Sequence, residues 1–129
     1  MKIRLLASLS VLFFALSALA DQTIRYEPVS VQLNGTLALG KFQHPNGRWM
    51  PFTYLVSATP VSIAADPANP LYVRETSVKE IQLSSADKTI SQRLRSLAGK
   101  TVTLTGTVFH AENAWHVRPL IMDVEAIHQ

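Results

Sequence analysis

VQLNGTL, residues 31–37, returns as VTLTGTV at residues 102–108, with the apolar and glycine positions matched one for one. Around the first copy, Val29, Val31, Leu33, Gly35, Leu37 and Leu39 fall on one face, and Ser30, Gln32, Asn34 and Thr36 on the other. A period of two marks a half-buried strand. Asn34-Gly35 is by itself a hairpin signal. The second copy carries the glycine without the asparagine, so the glycine belongs inside the strand. A mid-strand glycine at two matched places predicts a bend or bulge where a small sheet curls.

The rest of the chain supplies the other elements. Pro45-Asn46-Gly47, within HPNGR at 44–48, is a turn between two strand patterns. WMPFTYLVSA from Trp49 is the second strand, and Pro51, which cannot donate to a ladder, puts its start at an edge or bulge. ADPANP at 65–70 is loop, and VKEIQL at 78–83 is a third strand with Ile81 and Leu83 inward. One helix follows. Ser84 or Ser85 caps it, Asp87 lies in its first turn, Ile90, Leu94 and Leu97 form one stripe, and Gly99 closes it. Lys88, Gln92, Arg93 and Arg95 make its solvated face. TVTLTGTVFH and WHVRPLIMDVEAI, joined through Ala111 to Ala114, complete the order. The expected class is mostly β: a five-stranded OB-fold-like barrel with one helix between strands 3 and 4. An open antiparallel α+β sandwich is the alternative.

Residues 1–20 stand apart from this pattern. Lys2 and Arg4 precede an apolar run from Leu5 to Leu16, and Ala18-Leu19-Ala20 ends it. This is the layout of a secretory signal peptide, too short to span a bilayer, cleaved after Ala20 and leading to the periplasm. A single domain over 21–129 is then expected. Removing Lys2 and Arg4 from the 12 basic residues leaves 10 against 9 acidic, a net of +1. That charge is too small to argue for nucleic acid or a membrane surface. No cysteine is present, so no disulfide supports the fold and thiol chemistry is excluded. A core of this size can form without one.

Two phrases carry a family resemblance: Tyr26-Glu27-Pro28 followed by VQLNGTL, and LAGKTVTLTGTVFHAENAWHVRPLIMDVEAI at 97–127. Through them the chain resembles the exported bacterial domain of unknown function 4431 family, and it is similar in plan to small periplasmic OB-fold proteins. That family often carries cysteines before the helix, where this chain has none. The resemblance implies location and fold and brings no activity with it.

Catalytic signatures are missing. No serine lies in a Gly-x-Ser-x-Gly elbow, and no glycine-rich phosphate loop occurs. Asp123 and Glu125 alternate outward on the last strand as ordinary surface carboxylates. FHAENAWHVRP at 109–119 is richer. With its hinge at Asn113, His110 and His116 would face each other across a hairpin, near enough to share a cation. A third ligand would have to be His44 or Glu112, and no HxH or HExxH spacing supports a metal, so none is expected.

The clearer pattern is that two loops look alike. One holds His44, Arg48 and Trp49, the other His110, Trp115, His116 and Arg118. In an OB barrel these loops flank the ligand-binding face, and tryptophan and arginine dominate interface energetics. The opposing reading makes the tryptophans plugs of the barrel end and the arginines solubilising rim residues. The favoured expectation is a non-catalytic periplasmic binding module, without cofactor or membrane insertion, meeting a protein or a small anionic ligand. An envelope enzyme that it inhibits and a toxin that it neutralises are partners of the right kind. Single-stranded nucleic-acid binding and a metal-dependent periplasmic enzyme are the alternatives.

Overall fold

A computed structural model describes residues 21–129. The expected signal peptide, 1–20, lies outside the described residues. Six strands and one helix follow in the order β1 (Gln22–Ile24), β2 (Val31–Gln43), β3 (Trp49–Ile63), β4 (Glu75–Ser84), α1 (Lys88–Ser96), β5 (Thr101–His110) and β6 (Leu120–His128). β2 pairs antiparallel with β3 and β5, β3 with β4, and β5 with β6, while β4 and β6 pair in parallel. The ring β3-β2-β5-β6-β4 closes on itself through β3–β4. That is a closed five-stranded barrel with its helix between the third and fourth barrel strands, as the element order predicts. The sandwich alternative is set aside.

β1 is the strand that alternation did not reveal. Three residues long, it adds in parallel to Val61–Ile63 of β3, outside the ring.

The repeated phrase explains the closure. Gly35 pairs with β3 on one side and β5 on the other, and Gly106 with β2 and β6, with a register shift at Thr105/Gly106. A Cβ on Gly35 would meet the Val56 carbonyl oxygen at 2.2 Å, and one on Gly106 the Asp123 carbonyl oxygen at 2.0 Å. Neither space admits a side chain. The two glycines let adjoining strands cross at close approach, which a ring of only five strands requires.

The core follows the alternation. Leu33, Leu37, Leu55, Ile81, Leu104, Val108, Leu120 and Met122 are fully buried. The stripe ends sooner than the period suggests, since Val29 and Leu39 are 43% and 53% exposed. Val29 precedes β2, and Leu39 lies beyond Thr36, where β2 stops pairing with β5. Leu94 alone of the helix is fully buried, with Ile90 and Leu97 packed at the margin, and Lys88, Gln92, Arg93 and Arg95 are exposed. The cap is Asp87, whose carboxylate accepts from the Thr89 and Ile90 N–H groups. Ser85 instead sends its hydroxyl to the Val124 carbonyl and accepts from the Asp87 N–H. Pro51 lies where an edge was expected: β3–β4 pairing begins only at Thr53, so Trp49–Phe52 have no neighbour on that side.

Candidate functional site: a rim built from two loops

The first loop, His44–Arg48, is held by its own backbone. The His44 N–H donates to the Arg48 carbonyl at 2.8 Å, and the Gly47 N–H to the His44 carbonyl at 2.8 Å. Gly47 sits at φ +91°, a conformation that favours glycine in a tight turn. His44 Nδ1 accepts from the Asn46 N–H.

The second loop runs from Ala111 to Pro119, longer than the four-residue hinge expected, and β6 begins only at Leu120. Its ends are tied by the Ala111 N–H on the Pro119 carbonyl. Gln82, 7% exposed on β4, fixes its middle. The Gln82 amide donates to the Trp115 carbonyl at 2.8 Å and accepts from the Val117 N–H at 2.7 Å. One buried side chain thus satisfies two loop backbone groups that would otherwise cost stability.

With the backbone pinned, Trp115 reaches the first loop. Its ring lies 4.4 Å from His44 and 6.2 Å, edge-on, from Phe42. The same ring is still 47% exposed. Phe42, Phe52 and Tyr54 continue the aromatic surface along the outer face of β2 and β3, where Gly40 leaves room for the Phe52 ring. Arg118 lies over Phe52 and Tyr54, 5.2 and 5.3 Å from their centroids, and pairs with Glu80 at 2.8 Å. The guanidinium is therefore already stacked and neutralised.

Of the residues singled out from sequence, His44, Trp115 and Arg118 come together through this surface. Arg48 and Trp49 lie beside them at the hairpin tip, both exposed, Trp49 at 66%. Neither tryptophan plugs the barrel. His110 and His116 do not face each other, because the longer loop changes the register and His110 pairs with Leu120. His110 Nε2 bonds to Glu75 at 2.8 Å, and His116 turns to Phe109 while its Nδ1 accepts from the Glu112 N–H. Burial holds His116 below its ordinary pKa, against the opposing pull of Glu112. Among the described residues, no group of three or more His, Asp or Glu is gathered to hold a metal ion.

Phe42, Phe52, Tyr54 and Gln82 are the site residues that sequence reasoning missed. Phe42 carried a signal, being an aromatic on the outward parity of a strand whose inward parity was already assigned, whereas Phe52 and Tyr54 stand two apart on a strand whose faces were left unassigned. Gln82 carried none, being one polar residue on a strand between two inward ones.

No curated protein matches the chain. Residues 80–128, from the later part of β4 through α1, β5 and β6, match the model of the family described as Domain of unknown function (DUF4431).

Proposed function

We propose that this protein is a non-catalytic binding module of the periplasm, exported with cleavage after Ala20, and that the two-loop rim is its contact surface. One observation carries the reading: Trp115 joins the loops by packing its ring, tilted, against His44 while about half of its surface stays in water. A large aromatic anchored by its backbone and open on its face is the kind of residue that dominates binding energy. Its ordering is completed before a partner arrives, which lowers the entropy lost on association.

The test is capture from periplasmic extract by the chain starting at Asp21. The Trp115→Ala, Arg118→Ala double variant should retain the fold and lose the captured partner, with a cost of about 2 kcal/mol, roughly thirtyfold in affinity. Equal capture by both proteins removes the rim from binding.

Single-stranded nucleic-acid binding is a second reading, favoured by Phe42, Phe52 and Tyr54 on the outer face of β2 and β3. Bases stack on such platforms in OB domains. Arg118 covers two of these rings, and a mature charge near +1 supplies no basic groove. Salt-sensitive binding of a short oligonucleotide would select this reading over the first.

A further inference from the structure

The rim reading leaves its occupant undefined. Beside Trp115, a cleft of about 250 Å³ runs between the free edge of β3, the helix and the second loop. Leu39, Phe42, Pro51 and Trp115 supply its apolar lining, and Arg95 enters it from α1. Sites for drug-sized molecules are about 300–1,000 Å³. This one is sized for one or two side chains, which favours a protein segment over a free small molecule.

Charge narrows the choice. Arg118 is spent on Glu80 and His110 on Glu75. Arg95 in the cleft, and Lys41 and Arg48 on the adjoining hairpin, make no ion pair among the described residues. A second copy of this chain would bring those three cations against their own counterparts, and like charges across an interface oppose association. The free edge at Trp49–Phe52 invites an added strand, but Pro51 lacks the N–H that a continuous ladder needs. Recognition therefore falls to side chains.

We infer that the cleft receives a short acidic segment of a partner protein. One or two of its apolar side chains lie against Leu39 and Trp115, and its carboxylates meet Arg95, Lys41 and Arg48. This deepens the rim reading and rests on it.

The experiment titrates the chain from Asp21 onward with two ten-residue peptides. Each has a central Leu and Phe, flanked by glutamates in one and by lysines in the other. Fluorescence of Trp49 and Trp115, the two tryptophans of the chain, reports binding. The acidic peptide should bind at least tenfold more tightly, and the preference should shrink as salt screens the exposed cations. Lys41→Glu with Arg95→Glu should abolish or invert the preference at unchanged melting temperature. Equal binding of both peptides, no response to either, or an unchanged preference in the charge-reversed variant overturns the inference. Concentration-dependent dimers in sedimentation would overturn it in favour of a second copy. If the peptides fail while the Trp115 and Arg118 variant still loses its captured partner, the rim reading stands and only the acidic occupant falls.

Discussion

The segment from His110 to Pro119 begins in one kind of environment and passes through another. At His110 the polar groups are spent: one ring nitrogen meets Glu75 and the other the Ala111 carbonyl. Next to it Tyr26 and Tyr72 stack at 4.5 Å, with hydroxyls donated to the Val73 carbonyl and to Glu27. Both phenols are pushed up to about 12, burial being the larger cause, with Glu75 adding for Tyr26 and Glu27 for Tyr72. They remain donors at any physiological pH. At Trp115 the backbone is equally well satisfied, yet the indole is half exposed and unpaired cations stand nearby. Similar residue types are thus closed off around His110 and left open to solvent around Trp115. What separates a structural cluster from a contact surface here is whether its partners lie within the chain.

The contrast is most easily broken at the closed cluster. Tyr26→Ala removes a ring only 4% exposed and should cost about 3–5 kcal/mol in denaturant unfolding, the range for a buried aromatic. A loss below about 0.5 kcal/mol, the range for surface changes, would put that cluster in the same class as the rim. Leu94→Ala, at the single fully buried position of the helix, beside the cleft and apart from the tyrosine cluster, should cost about 2–5 kcal/mol. If that variant unfolds like the parent, the helix does not close the barrel.

The open side is sharpened by Gln82→Leu. Removing the amide leaves the Trp115 carbonyl and the Val117 N–H without their partner, at a cost of about 1–3 kcal/mol. Hydrogen exchange should rise across 113–118 before it rises in β5 or β6. Exchange that rises equally in all three would mean the loop is not held separately by Gln82.

The smallest effect is a pH dependence. Burial disfavours the charged form of His116, so its folded pKa lies below the ordinary 6.5. As pH falls through 6.5 the unfolded chain takes up the proton first, and stability present above that value is lost below it. The same proton would displace the Glu112 N–H from Nδ1. His116→Gln should flatten the slope of stability with pH in that window, and a slope unchanged by the substitution would assign it to another group.

The barrel was legible in the sequence because its determinants are local and periodic. The matched glycines at 35 and 106, the alternation around Leu33 and Leu104 and the single helical stripe each follow from one stretch of chain. The loop between β5 and β6 was less legible. Trp115 to Pro119 contains Val117 and leads into an apolar run, so the strand pattern extends backward through it. What ends the strand at Leu120 is Gln82, distant in sequence, whose amide takes the backbone bonds that a sheet partner would have used. That shift carried His110 and His116 apart and left His44, Trp115 and Arg118 as the members that meet. Glu75, the partner of His110, lies far along the chain and follows no spacing rule.

Equilibrium unfolding of Trp115→Ala against the parent tests most directly whether the rim is a contact surface and not part of the core. An exposed, backbone-anchored indole should be lost at a cost of no more than about 1 kcal/mol, with an unchanged dependence on denaturant, close to the range for surface substitutions. A loss of about 3–5 kcal/mol, the figure for a buried aromatic, would make Trp115 the plug of the barrel end and contradict the account.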